Sequence, residues 1–500
     1  MAKQKTNIYS FFLALLSGGL LPLALAPFSW WPIALFSTCV LCFLCRGQTV
    51  GKVFALALAF GLGQYGVGTS WVYVSIHDYG HASVALAIQL TALFTLGMAI
   101  IFALPLSLFG LFRNASPAAS LLAFPALWVL GEWSRSWFLT GFPWLNIGYG
   151  FIDTWIAGWA PIAGVMALSG FVVFGGALAA LLIEQTDNKR ITWTGLAFTL
   201  LVCASGTLLS GLNWSRPSGQ ALNIALVQPD QPLLEKWHDD ELKRILIDFQ
   251  DTNAALYDQD LIIWPESALP TLQNNIAGFL DDIDANLKEE HVGVITGIPS
   301  SQGLQQYYNS VIGLGRASGR YQKRRLVPFG EYVPLEQWLR GTIDFFDLPM
   351  SAFSAGADRQ TPISIGEVQI APAICYEIAY PDLLARDAAT ANILLTVSND
   401  TWFGNSIGPH QHFQMARMRA LENAKPLLRA TNDGITAVID QRGKVSEQLP
   451  RFTPGILKAE VTPFSGSTPF NRYGSRPLVG FCFTILLLLL AVPRWQKQRG

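Results

Sequence analysis

The sequence predicts a polytopic α-helical membrane part of about eight spans joined to a soluble α/β domain, and three observations predict it. Charge is unevenly placed: residues 1 to about 212 and about 477 to 493 are apolar and aromatic-rich, whereas about 213 to 476 hold most of the Lys, Arg, Asp and Glu. Several of the apolar runs carry no charge and reach the roughly 20 residues a bilayer requires. In the charged part, short apolar runs alternate with polar stretches of helical period, the pattern of helices packed on sheet. The division expected is therefore 1–212 with seven spans, 213–476 soluble, and 477–500 with the eighth span and a tail. A formal net charge of −1 gives no electrostatic case for nucleic acid.

Taken in order, the first apolar run follows Lys3 and Lys5 and resembles a signal peptide, but further apolar runs follow at once, so it reads as an anchored helix. The spans are placed at about 11–27, 30–45, 53–76, 83–112, 117–131, 157–183 and 193–212, and the last at about 477–493; the second and fifth are short. With the N-terminus inside, the inner segments carry Lys3, Lys5, Arg46, Lys52, Arg113, Lys189, Arg190, Arg494, Lys497 and Arg499, and the short outer loops only Arg135. That bias places both termini in the cytoplasm and the soluble domain outside it, although Arg216, Arg472 and Arg476 dilute it. Glu132 and Arg135 read as interface charges, and Thr140–Leu145, with Trp144, as an aromatic interface anchor or the floor of a lipid cleft. No buried acid–base pair of the kind that marks an ion pathway is expected in the spans.

In the soluble part, Asn223–Gln228, Leu261–Glu266, Gly293–Ile298, Ser310–Leu314, Val368–Cys375, Ile393–Ser398 and Gly434–Asp440 read as strands. Asp239–Leu256 has helical spacing, with Leu242, Ile245, Leu246 and Phe249 on one face; Pro270–Leu287, Pro381–Ala391 and Gln411–Lys425 read as further helices. No glycine-rich phosphate loop appears.

Cys39, Cys42, Cys45, Cys203 and Cys482 lie in apolar runs, where a free cysteine packs as a small hydrophobe. Cys375 is the one cysteine of the soluble part; without a disulfide partner there, it is a core residue or a reactive one. Three strand-end signals give it company: Glu266 after Leu261-Ile-Ile-Trp-Pro, Lys323 after Tyr321-Gln, and Cys375 itself after Ala371-Pro-Ala-Ile. Base, cation and thiol in that order form a workable set for nucleophilic chemistry, because a thiol needs a base or cationic neighbour to react near neutral pH. The backbone N–H of Tyr376 is a candidate second donor to an oxyanion. His410 and His412 lack the acid or cysteine spacing of a metal site, so no metal is expected.

Trp264-Pro-Glu266-Ser, Lys323 and Ile374-Cys375-Tyr-Glu377 resemble the three catalytic stations of the nitrilase superfamily. With the membrane spans, Leu326-Val-Pro-Phe-Gly-Glu331-Tyr-Val-Pro, Ser398-Asn-Asp-Thr-Trp402-Phe-Gly404 and His412-Phe-Gln-Met-Ala-Arg417-Met-Arg-Ala-Leu-Glu422 resemble the bacterial apolipoprotein N-acyltransferases, over nearly the whole chain. The resemblance implies an αββα sandwich with a Glu266–Lys323–Cys375 triad and no cofactor. It implies transfer of an acyl chain from a phospholipid, mainly phosphatidylethanolamine, through a thioester on Cys375 to the α-amino group of the diacylglyceryl-cysteine that begins an apolipoprotein. The enzyme would then sit in the bacterial inner membrane with its catalytic domain in the periplasm. Glu331 is either a positioner of Lys323 or the amine, or a loop ion pair; Tyr376 and Glu377 are supporting residues, Glu377 alternatively a structural acid. Trp237, Trp402 and Phe403 are candidates for lipid contact, and the apolar stretch Phe345–Met350 for a lid. The competing readings are a membrane-anchored nitrilase-type amidase and a transporter or lipid-binding protein with an inert outer domain.

Overall fold

Each apolar run folds as a helix in the computed structural model, which describes residues 7–184, 189–233, 235–303, 306–333 and 352–498. These are α1 (Ile8–Leu20, continued as a 3-10 turn to Ala24), α2 (Pro32–Cys45), α3 (Val50–Gly68), α4 (Val84–Ser107), α5 (Pro117–Ser134), α6 (Ala160–Ile183), α7 (Lys189–Ser210) and the C-terminal helix Arg476–Gln498. Among the described residues, Val50–Gly68, Val84–Phe112, Ala157–Ile183 and Lys189–Ser210 are long and apolar enough to cross a membrane; Ile8–Ala24, Pro32–Cys45 and Arg476–Ala491 are shorter apolar helices. The chain forms two compact units, one of Met1–Tyr73, Ser83–Leu212 and Tyr473–Gly500, the other of Val74–Ala82 and Asn213–Arg472.

Within the helical unit, small residues set the closest approach. A Cβ on Gly18 would stand 2.0 Å from the Phe60 carbonyl oxygen, and one on Gly63 2.1 Å from that of Leu15, so α1 and α3 cross backbone to backbone. Three expectations are corrected here. Glu132 is 0% and Arg135 2% exposed, so they are interior groups and the helical unit does hold a buried acid and base. Glu132 Oε1 accepts from Trp128 Nε1 and from the N–H of Ile147, each at 3.1 Å, and Arg135 Nη2 donates to Asn146 Oδ1 at 3.1 Å. The reason is the irregular stretch Gly141–Asn146 between α5 and α6: non-helical backbone among apolar helices must find its hydrogen bonds inside the protein. Trp144, at 1% exposed, is likewise interior, its ring 5.1 Å from Trp71 and 5.8 Å from Phe142, and is no interface anchor.

The second unit contains fifteen strands among the described residues. They are β1 (Ser215–Pro217), β2 (Leu222–Gln228), β3 (Leu261–Ile263), β4 (Gly293–Gln302), β5 (Gln306–Gly315), β6 (Ala317–Ser318), β7 (Arg320–Gln322), β8 (Ile363–Ile365), β9 (Val368–Ile374), β10 (Ile393–Ser398), β11 (Leu427–Thr431), β12 (Ala437–Ile439), β13 (Val445–Gln448), β14 (Gly455–Val461) and β15 (Phe464–Gly466). One sheet runs β14-β2-β3-β4-β5-β7 and the other β13-β12-β11-β10-β9-β8-β6, while β1 pairs with β15. β2, β3 and β4 are parallel, as are β9, β10 and β11. Ile224, Leu226, Leu261, Ile263 and Ile295 of the first sheet meet Ile370, Ile374, Leu395, Val397 and Leu428 of the second in a shared core. The alternate residues Ala225, Val227, Ile262 and Val294 face outward onto α8 (Asp239–Ala254) and α9 (Ala277–Glu289). Burial of both faces explains why these strands read as continuous apolar runs. α10 (Pro381–Ala388) and α11 (Gly408–Asn423) lie against the second sheet, completing an αββα sandwich.

Strand bounds differ from expectation in both directions: β4 and β5 run beyond the expected Gly293–Ile298 and Ser310–Leu314, and two other strands are shorter. β3 stops at Ile263 and leaves Glu266 in the following loop, and β12 is confined to Ala437–Ile439. The segment Val74–Ala82, which lies between α3 and α4 in sequence, packs on the sandwich: its π-helical turn Ser75–Tyr79 sends Ser75 Oγ to the Trp402 carbonyl at 2.7 Å.

Candidate active site

Cys375 follows the last residue of β9 and opens a 3-10 turn, Cys375–Ala379. Its φ of +50° is left-handed, a conformation that costs a non-glycine residue roughly 1–2 kcal/mol. Cys375 therefore stands at the end of an interior strand of its sheet, in a backbone conformation held by its surroundings. Burial pushes the Cys375 thiol well above its ordinary range and the charge of Glu266 adds to that; Lys323 and a hydrogen bond from Ser398 oppose. The resting group is therefore a thiol, and attack needs a base.

Glu266 supplies a carboxylate from the loop after β3. That loop is laid on β4 at Gly297, where an added Cβ would stand 2.8 Å from the Glu266 Cα and 2.5 Å from the Ser267 nitrogen, so only glycine leaves room. Trp264 anchors the loop on the other side, its ring 4.7 Å from Phe249 and its Nε1 donating to Asn253 Oδ1 at 2.9 Å. Glu266 Oε2 accepts the Asn399 N–H at 2.9 Å, and Oε1 accepts Asn309 Nδ2 at 2.7 Å and Lys323 Nζ at 3.4 Å.

Lys323 lies just past β7, 1% exposed, with Nζ 2.8 Å from Glu331 Oε1. Burial works against its ammonium, but Glu331, Glu266 and Cys375 outweigh it and hold the pKa above the ordinary range. Glu331 is kept in place by the Val327 N–H on Oε2 at 2.8 Å and by Asn309 Nδ2 on Oε1 at 3.0 Å. The structure thus brings Glu266, Lys323 and Glu331 into one buried cluster, and the Cys375 thiol lies within the electrostatic reach of Glu266 and Lys323. A fixed cation, a thiol and a carboxylate together suit acyl transfer in principle: a carboxylate can accept a thiol proton, and an ammonium can stabilise an oxyanion.

Glu377 takes the structural role. It is 0% exposed and accepts from the N–H groups of Ile374 (2.9 Å), Arg324 (2.8 Å) and Arg325 (3.2 Å) and from the Tyr321 hydroxyl (2.8 Å). It thereby ties the end of β9 to the segment that carries Lys323. Arg324 closes the arrangement by a short ion pair with Asp387. Tyr376 is buried with its ring 5.3 Å from Tyr380. Trp237 ends the 3-10 turn Glu235–Trp237 and is half-buried; Trp402 is half-buried beside Tyr79, and Phe403 is interior, 5.8 Å from the His412 ring. The apolar stretch Phe345–Met350 lies outside the described residues.

Sequence reasoning missed four groups. Asn309 bridges the two glutamates. Lys236 is 3% exposed, donates to the Ser267 carbonyl at 2.8 Å and is brought down to about 8 by burial. Asp400 and Arg429 pair at 2.6 Å beneath the site. The available signal was a polar residue inside an apolar strand, as with Asn309 in β5 and Arg429 in β11. His412 bonds to Asp400 and to the Cys375 carbonyl.

Residues 17–178 match the family described as apolipoprotein N-acyltransferase N-terminal domain, and residues 223–468 the family described as carbon-nitrogen hydrolase. The chain is 44% identical over 484 residues to an apolipoprotein N-acyltransferase of Pseudomonas aeruginosa, covering 96% of this chain and 95% of that one. It is 43% identical over 495 residues to that of Azotobacter vinelandii, covering 98% and 96%. Among solved structures, a nitrilase-superfamily protein of Saccharomyces cerevisiae matches 50% of this chain and 93% of its own at 18% identity and a TM-score of 0.38.

Proposed function

This chain belongs to the apolipoprotein N-acyltransferases, and from that premise we propose how its residues carry the reaction. The protein is a membrane enzyme that moves an acyl chain from a lipid donor to the N-terminal amine of a lipoprotein acceptor. The amidase alternative is set aside, because likeness to acyltransferases extends through the helical unit as well as the hydrolase-like one. The observation that carries the mechanism is the buried Glu266–Lys323–Glu331 cluster.

In the first half-reaction, Cys375 Sγ attacks the ester carbonyl of the phospholipid while Glu266 takes the thiol proton. The oxyanion faces the Lys323 ammonium and the Tyr376 N–H, and Glu331 holds Lys323 in place. Collapse expels the lysophospholipid alkoxide, which recovers the proton from Glu266 and leaves a thioester. In the second, the α-amine of the diacylglyceryl-cysteine attacks the thioester, Glu266 takes the ammonium proton of the adduct, and the thiolate leaves and is reprotonated. Phosphatidylethanolamine is the donor that the family resemblance implies. A periplasmic catalytic domain with cytoplasmic termini is supported by the Lys and Arg bias around the spans; the expected division 1–212, 213–476 and 477–500 shifts in that Val74–Ala82 joins the catalytic unit and the helical unit resumes at Tyr473. Trp237 and Trp402, both half-buried, are assigned to lipid contact; Phe403, interior against His412, is not.

Labelled phospholipid without acceptor should leave acyl label on the protein, released by neutral hydroxylamine as a thioester. A diacylglyceryl peptide with a free amine should discharge it, and N-acetylating that peptide should block discharge. Label on a Cys375→Ala protein, or no label until acceptor is added, would remove Cys375 as nucleophile.

A further inference from the structure

We propose that His412 is a positioning residue for the nucleophile, holding the left-handed backbone of Cys375 through its carbonyl oxygen. This rests on the reading of Cys375 as the attacking group. The φ of +50° at Cys375 is unfavourable for an L-residue and persists only where the surroundings over-determine it. The carbonyl that follows this torsion lies 3.1 Å from His412 Nε2. A carbonyl only accepts, so Nε2 carries its proton whatever the state of the other ring nitrogen.

The opposite edge of the ring is clamped. His412 Nδ1 stands 3.0 Å from Asp400 Oδ1 and 3.1 Å from Arg429 Nη2. Asp400 is fixed in turn by Arg429 Nη2 on Oδ2 at 2.6 Å and by Ser398 Oγ on Oδ1 at 2.7 Å. Arg429, His412, Asp400 and Ser398 are each at most 1% exposed, so the cluster cannot relax toward solvent. The neighbouring residue, Asn399, gives its N–H to Glu266 Oε2 at 2.9 Å. Asn399 and Asp400 thus hold the base directly and the nucleophile through His412, which sets the distance between thiol and carboxylate from a single point on the second sheet.

The test uses two substitutions in the full-length, detergent-solubilised enzyme. In His412→Asn the amide nitrogen can occupy the place of Nδ1 and face Asp400 but cannot reach the Cys375 carbonyl. In His412→Gln it can occupy the place of Nε2. The rate of thioester formation from labelled phospholipid, measured before acceptor is added, should fall about 10²-fold in His412→Asn and stay within about tenfold of the parent in His412→Gln, as expected for an ångström-scale displacement of a reacting group. Thermal midpoints of the two variants should agree. A His412→Gln protein as slow as His412→Asn with the same midpoint, or a His412→Asn protein acylating at the parent rate, would overturn the proposal. Should His412→Asn fail to fold, His412→Ala takes its place, expected slow by about 10²-fold against a near-parent His412→Gln; equal rates in the two would overturn the proposal. Cys375→Ala, run alongside, separates the two readings, since persistent label released by neutral hydroxylamine there would undo the nucleophile rather than the role of His412.

Discussion

Replacing Lys323 separates its two duties, as the counter-charge of a buried cluster and as the cation that faces the oxyanion. Its Nζ lies 2.8 Å from Glu331 Oε1 and 3.4 Å from Glu266 Oε1, with all three residues buried. At an effective dielectric of about 20 these separations correspond to gross attractions of about 6 and about 5 kcal/mol. Desolvation of the ammonium offsets much of this, and removing one partner of such a buried pair typically costs about 3–5 kcal/mol. Lys323→Met should therefore destabilise the protein by about that amount and lower thioester formation by about 10²–10³, the loss associated with one oxyanion donor. The double substitution Lys323→Met with Glu331→Gln removes one of the two stranded charges and should recover most of the stability, yet leave acylation down by the same factor. The assay is acyl label on Cys375 against time, beside thermal unfolding of the same preparations. If acylation recovered together with stability in the double variant, Lys323 would be a structural cation only, and the oxyanion assignment would be wrong.

Further outcomes follow from the same geometry. Asp433, pushed by burial from the usual 3.8 to about 6, binds its proton more tightly folded than unfolded, so stability is lost as pH rises from about 4 to about 6. Asp433→Asn should accordingly melt higher than the parent above pH 6, by up to about 3 kcal/mol at 1.36 kcal/mol per pH unit, with no difference below pH 4; a pH-independent gap would contradict this. Glu132→Ala leaves the Trp128 indole and the Ile147 N–H without their acceptor and should cost about 1–3 kcal/mol for each in the detergent-solubilised protein. An unchanged midpoint would mean Glu132 reaches solvent after all. A reporter active only outside the cytoplasm should work when fused after Leu212 and fail when fused after Pro493, and the reverse pattern would invert the proposed orientation.

The sequence by itself determined the architecture and the chemistry in outline. Hydropathy separates apolar from charged segments because bilayer burial acts on whole runs of about 20 residues. Double-sided burial makes the parallel strands legible as continuous apolar runs, and Glu266 and Cys375 each come soon after one; Lys323 follows the short antiparallel strand β7, Arg-Tyr-Gln, which leaves no such run. What only the tertiary structure decided concerns contacts between residues far apart in the chain. Glu132 and Arg135 read as interface charges because a window of hydropathy cannot tell a helix end facing water from one facing Tyr65 and Asn146. Glu377 is a structural acid because Arg324 and Arg325, some fifty positions earlier, deliver their N–H groups to it. Asn309 matters because it stands between two glutamates that come from separate loops. The left-handed turn at Cys375, with His412 behind it, belongs to the same class: a strained torsion leaves no mark in composition or periodicity, since the atoms that stabilise it arrive from another helix.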